Sequence, residues 1–197
     1  MIKAALLASG QGSNAKALLK KETTLDDVSI ELVITDNPHA GVIDIADNFN
    51  KPCFIFPKGK SSKNQHETLI LETLHDFEVD WVLLAGYMRL LSEDFIKSFY
   101  CPDLKQSKIL NIHPSLLPLH PGLNAYEKTF KHTPRQAGVT IHYVDSGMDT
   151  GKILIQEKFE SLSENFEEFK QEGLKLEHRL YTKVLSQLSN IAKEGHI

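Results

Sequence analysis

Asn111 and His113 stand two residues apart in Ile109-Leu110-Asn111-Ile112-His113-Pro114-Ser115, where an apolar run meets a proline. If that run is a strand, alternate side chains share a face, so a carboxamide and an imidazole project together at its end. Pro114 stops the strand and removes a backbone donor. Such a pair suits the stabilisation of an oxyanion at a carbonyl carbon; it equally suits a histidine that merely satisfies loop carbonyls. Asp149 lies far along the chain in Asp145-Ser146-Gly147-Met148-Asp149-Thr150-Gly151. Aspartate is an ordinary turn residue there. Beside His113 it would instead favour the protonated imidazole and relay a proton. Ser115 lacks the GxSxG elbow of a serine hydrolase.

A second chemical feature is Ser9-Gly10-Gln11-Gly12-Ser13-Asn14, directly after the first apolar run. Glycines allow close backbone approach, and a helix starting there offers free amides and a partial positive charge to a phosphate. Ser13 is expected to cap that helix. The loop also reads as a dinucleotide fingerprint, with Ala15 at the third glycine position and Asp36 near the end of the next strand holding a ribose. That alternative is a nicotinamide-dependent oxidoreductase. The Gly-Lys-Ser/Thr ending of a P-loop is missing.

The elements that must hold these residues alternate. Apolar runs at Ile2–Ala8, Ile30–Thr35, Cys53–Phe56, Trp81–Ala85 and Ile109–Ile112 read as strands. Helical spacing fills the gaps at Lys16–Leu19, Val42–Asn50 and Ser62 to about Phe77. Continuous apolar runs suit a parallel sheet buried on both faces. The pattern predicts an α/β, doubly wound, mostly parallel sheet. Val139–Val144 and Ile153–Phe159 have no helix between them, so they are expected to pair antiparallel at the sheet's edge. From about Glu164 a charged helix carries an apolar face of Leu180, Val184, Leu188 and Ile191.

The 197 residues suit one domain. A net charge of −4 is not the basic footprint of a nucleic-acid binder. Cys53 and Cys101 form no CxxC pair and the nine histidines lack ligand spacing, so no metal site is expected. The apolar run Ala4–Ala8 is too short for a signal peptide or a membrane span, which predicts a cytoplasmic protein.

Four landmarks, SGQGSN at Ser9–Asn14, LAGYMRLL at Leu84–Leu91, LNIHPSLLP at Leu110–Pro118 and GVTIHYVDSGMDTG at Gly138–Gly151, occur in order. Together they resemble the formyltetrahydrofolate-dependent formyltransferase family, over nearly the whole chain. The resemblance implies a Rossmann-like formyltransferase domain spanning 1–197. Its phosphate-binding half runs to about residue 100, and its folate and catalytic half covers about 101–197. It implies transfer of a formyl group from 10-formyltetrahydrofolate to the amine of phosphoribosylglycinamide in purine synthesis. No metal, nucleic acid or membrane is implied, and a homodimer is allowed.

By similarity Asn111, His113 and Asp149 are the catalytic trio. Gly12, Ser13 and Asn14 match the phosphate loop, and Glu177 matches a glutamate that holds the glycinamide part. Without the resemblance, Glu177 is one charge on a polar helix face. Met88, Arg89, Leu90 and Leu91 match the pterin-lining segment, Asn111 also contacts the folate, and Asp145 opens a loop that covers the pterin. Lys63 falls where relatives carry a basic residue near the folate. Relatives often have arginine at the positions of Lys63 and Lys108, and a histidine near Tyr126. Within the resemblance the rival is hydrolysis of the formyl folate by water; transfer to methionyl-tRNA would call for a further domain.

Overall fold

The computed structural model describes residues 1–57, 59, 62–132 and 136–193. In chain order its elements are β1 (Ile2–Leu7), α1 (Ser13–Glu22), β2 (Val28–Thr35), α2 (Val42–Asn48), β3 (Cys53–Ile55), α3 (Lys63–Asp76), β4 (Trp81–Leu84), α4 (Glu93–Ser98), β5 (Tyr100–Cys101), β6 (Gln106–Ser107), β7 (Ile109–His113), α5 (Ala125–Lys131), β8 (Gly138–Tyr143), β9 (Ile153–Lys158) and α6 (Phe166–Lys193). The main sheet runs β3-β2-β1-β4-β7-β8-β9. Its first five strands are parallel, and β8 and β9 are antiparallel to their neighbours. The expected antiparallel pair is present, with β8 also running against β7. The short β5–β6 hairpin, α4 and α5 carried no recognised signal, being too short for a period to register.

Strand alternation explains the two cores. Ala4 and Leu6 of β1 face a cluster with Leu18 of α1 and Leu180, Tyr181 and Val184 of α6. Ala5 and Leu7 face the other cluster, with Ile70 of α3 and Phe95 of α4. Each fully buried side chain of this size contributes roughly 1.5–3 kcal/mol. Because both faces are covered, β4 is apolar throughout and β1 is interrupted only by the half-buried Lys3. Tyr181 ties α6 to the sheet, its hydroxyl within reach of the Leu84 and Leu110 carbonyls at 3.1 and 3.2 Å. Leu180, Val184 and Leu188 are buried on α6; the side chain of Ile191 lies outside the described residues.

Neighbours of β1 lie on opposite sides, β2 reached first and β4 later, so the strand order reverses between β1 and β4. A crevice opens at the carboxyl ends there, the usual ligand position in such sheets. The loops after the two strands are stitched together across it. Ser9 N–H donates to the Gly86 carbonyl at 3.0 Å, and Met88 N–H donates to Ser9 Oγ at 3.0 Å.

Candidate active site

The glycine loop is closed by backbone shape. Gly12 adopts φ 75°, ψ 28°, and a Cβ there would come within 2.8 Å of Val42 Cβ and Cγ2. Only glycine satisfies both demands. Gly12, not Ser13, is the capping residue: Ser13 is already helical, and no side chain among the described residues caps this end. This corrects the expected Ser13 cap. The left-handed turn at Gly12 brings the chain into the helix one residue earlier, and the first-turn amides are left for an anion.

Asn14 and Glu177 meet here. Asn14 Nδ2 donates to Glu177 Oε2 at 2.5 Å, while Asn14 Oδ1 is buried with no partner among the described residues. The Tyr126 hydroxyl donates to Glu177 Oε1. Glu177 is only 5% exposed, which overturns its reading as one charge on a polar helix face. Burial raises its pKa, partly opposed by the Tyr126 and Asn14 donors.

At the end of β7, Asn111 pairs across the sheet with His142 of β8, and His113 pairs with Thr140. Asp149 reaches them from the β8–β9 loop, held at φ 55°. Its Oδ1 accepts from Asn111 Nδ2 at 3.3 Å and lies 3.4 Å from His142 Nε2. Its Oδ2 lies 3.4 Å from His113 Nδ1 and accepts from Gly122 N–H at 2.7 Å. One carboxylate thus joins β7, β8 and the loop before α5.

The other imidazole nitrogens are committed to carbonyls. His113 Nε2 donates to His120 at 2.9 Å, and His142 Nδ1 donates to Tyr143 at 2.9 Å. These partners assign the tautomers and turn His113 Nδ1 and His142 Nε2 toward Asp149. Burial lowers the His113 pKa, outweighing the His120 carbonyl and the Asp149 charge that raise it. Burial thus biases the free imidazole toward its neutral form, while Asp149 pulls toward the protonated form, as expected of a neighbouring carboxylate. Burial also acts to raise the Asp149 pKa, but the His142 hydrogen bond, the Gly122 N–H and the two imidazoles hold it down to about 2.

His142 was missed in the sequence. Its signal is register: it stands opposite Asn111 only once β7 and β8 are paired. Ser115 is fully buried and its hydroxyl donates to the Leu119 carbonyl, which leaves it structural.

The remaining predicted residues divide. Met88 and Leu90 are 63% and 56% exposed beside the crevice, whereas Leu91 joins the core. Arg89 Nη1 lies 3.0 Å from His66 Nε2. Lys63 is exposed at the start of α3, 3.9 Å from Glu67. Asp145 Oδ1 accepts from Gly147 N–H and the Thr150 hydroxyl, closing its own loop. These polar partners of Lys63 and Asp145 do not include Asn111, His113 or Asp149. Among the described residues, no group of three or more His, Cys, Asp or Glu is arranged to hold a metal, and no helix is long and apolar enough to cross a membrane.

Residues 2–185 match the Formyl transferase family. The chain belongs to the formyl transferase family. It is similar to the phosphoribosylglycinamide formyltransferase of Bacillus subtilis (strain 168), 41% identical over 200 residues covering 99% of this chain and 98% of that one. It is also 31% identical to the Trifunctional purine biosynthetic protein adenosine-3 of Drosophila melanogaster, over 94% of this chain and 14% of that longer one. Among solved structures, phosphoribosylglycinamide formyltransferase from Bacillus halodurans superposes with a TM-score of 0.86 at 37% identity, covering 94% of each chain. Membership sets aside the nicotinamide oxidoreductase reading of the glycine loop.

Proposed function

We propose that this formyl transferase family member moves the formyl group of 10-formyltetrahydrofolate to the amine of phosphoribosylglycinamide, giving formylglycinamide ribonucleotide and tetrahydrofolate in purine biosynthesis. The names of its relatives support phosphoribosylglycinamide as the acceptor and a place in purine biosynthesis, and the folate donor is what the family resemblance implies. The observation that carries the chemistry is the meeting of Asn111, His113 and Asp149 at the end of β7.

The folate supplies an electrophilic formyl carbon. As the amine nitrogen bonds to it, negative charge grows on the formyl oxygen, and Asn111 Nδ2 donates to that oxygen. A sheltered donor of this kind contributes roughly a hundredfold to a thousandfold in turnover. His113 begins neutral, so it takes up the proton that the attacking amine sheds, and its Nδ1–H becomes a second donor. Asp149 stabilises the imidazolium. The proton then passes to the departing folate nitrogen as the old carbon–nitrogen bond breaks, leaving His113 as it began.

Binding follows the two sides of the crevice. Gly12, Ser13 and Asn14 take the phosphate, and Glu177 the glycinamide part. Exposed Met88 and Leu90 suit an apolar ring face, with Arg89, Leu91, Asn111, Asp145 and Lys63 completing the folate side. Residues 1–197 act as one domain, with phosphate and catalytic halves dividing near residue 100. The reading is of a cytoplasmic enzyme without nucleic-acid or membrane partners, and it accommodates a homodimer because every residue named comes from one chain.

The test mixes the protein with a 10-formyl dideaza folate and phosphoribosylglycinamide and follows folate absorbance. Turnover that needs both substrates is expected. Turnover without the amine would instead identify a hydrolase, and none with either would sink the proposal.

A further inference from the structure

Tyr126 packs beside the buried Glu177, yet nothing in the reaction above uses it. It is 8% exposed at the start of α5, and its hydroxyl donates to Glu177 Oε1. The other carboxylate oxygen, Oε2, accepts from Asn14 Nδ2. Three separate elements, α5, α6 and α1, are thereby joined through one buried carboxylate. The ring is built in as firmly as the hydroxyl. It packs edge-on against Phe169 at 6.1 Å between centroids, and Gly173 leaves space for it: a Cβ there would lie 2.6 Å from the Tyr126 oxygen.

The chain has a physical consequence. Glu177 pulls the NH₂ group of Asn14 toward itself, which fixes the opposite edge of that carboxamide. Asn14 Oδ1 is buried and has no partner among the described residues, so it is set to accept from a donor that arrives with a ligand. Without the Tyr126 hydroxyl, Glu177 has one donor fewer holding its charge and its rotamer.

We infer that Tyr126 is a positioning residue for the acceptor substrate, acting through Glu177 to orient Asn14 beside the phosphate loop. This rests on the reading of the site as a formyltransferase centre. Asn14 Oδ1 then takes an N–H or O–H of the sugar or glycinamide portion, and the folate side is untouched. The groups facing Glu177 are the Tyr126 hydroxyl from α5, the Asn14 amide from α1 and, through its charge, Lys170 from α6. Removing the hydroxyl removes a donor that favours the carboxylate, so Glu177 protonates at higher pH.

Tyr126→Phe and Gly173→Ala test this by different routes, one deleting the hydroxyl and the other crowding it off Glu177. Steady-state kinetics should show KM for phosphoribosylglycinamide raised roughly tenfold in both, with kcat and KM for the formyl folate nearly unchanged. The acid limb of kcat/KM for the amine should move to higher pH in Tyr126→Phe. Unchanged KM for the amine with an unmoved acid limb would overturn the inference. So would a fall in kcat alone that tracks a lowered melting temperature, because that marks a purely structural tyrosine. Calorimetry with phosphoribosylglycinamide alone, without the formyl folate, provides an arm free of turnover: weaker binding in both variants supports the network, and unaltered binding opposes it. Absence of turnover in the unsubstituted protein would defeat the functional reading, while affinity for phosphoribosylglycinamide in the parent and variants would still decide the role of Tyr126.

Discussion

The glycine loop and the Asn111 cluster lie in one crevice but are built in opposite ways. The loop is local: β1, a glycine turn and α1 follow each other directly, and what it presents are the first-turn backbone amides that no side chain among the described residues caps. The cluster is non-local: Asn111, His113, His142 and Asp149 come from two strands and a loop, and their side chains meet only when β8 lies against β7. A local backbone site is shaped by conformational restriction at single residues. A non-local side-chain site is shaped by burial and by mutual charge, so its electrostatics shift when any member is altered.

The largest expected effect falls on the non-local side. His113→Ala or Asp149→Asn should lower kcat by roughly a hundredfold to a thousandfold, since each removes charge stabilisation made only during reaction. Binding of the phosphorylated substrate, followed by calorimetry, should persist in both. Near-normal turnover in His113→Ala would remove the imidazole from the mechanism.

Gly12→Ala probes the local side. The positive φ and the encounter with Val42 predict a loss of about 1–3 kcal/mol in stability. KM for phosphoribosylglycinamide should rise while kcat holds, the reverse of the His113 pattern. A variant with the opposite kinetic split would show that the two regions are not separable in this way.

Acid titration follows from the buried charges of the cluster. The folded Asp149 pKa lies near 2, below its ordinary 3.8, so its contribution is complete above about pH 3.8 and is lost as pH falls through about 2. That contribution is roughly 2–3 kcal/mol. His113 is also depressed, so the folded state favours its neutral form. Its share is complete above about pH 6.5 and declines as pH falls below that value. Chemical denaturation at stepped pH should therefore show Asp149→Asn losing less stability than the parent protein between about pH 4 and 2. His113→Gln should lose less just below pH 6.5. Parallel curves for parent and variants would contradict the assigned shifts.

The smallest effect belongs to Ser115→Ala. Its hydroxyl serves the Leu119 carbonyl, so about 1 kcal/mol of stability should go while kcat stays within roughly threefold. A collapse of turnover with the fold intact would revive a serine nucleophile.

Much of the scaffold could be read from residue order. The apolar runs of β1, β4 and β7, broken only by Lys3, Asn111 and the terminal His113, indicated buried parallel strands, and Gly10 and Gly12 after β1 marked a tight strand-to-helix turn. Helix α3 begins after Ser62 with Gln65 three residues on, and the structure forms the reciprocal capping box there. Less visible were the short elements α4, β5, β6 and α5, which are held by tertiary contacts rather than by periodicity. The site divides likewise. Asn111 and His113 drew notice because strand alternation places them on one side. His142 did not, because its partner across the sheet is 31 residues away.

Sequence alone determined which chemistry was on hand: a carboxamide, imidazoles and a carboxylate at strand ends, with glycines where a backbone must approach an anion. Tertiary structure decided the state of those groups. Burial biased His113 toward its neutral form, His142, Gly122 and His113 held Asp149 ionised, and Glu177 moved from a supposed polar face into the interior between Tyr126 and Asn14. The reason is that protonation and orientation depend on local polarity and on partners distant in the chain, and neither exists until the sheet and α6 have closed around them.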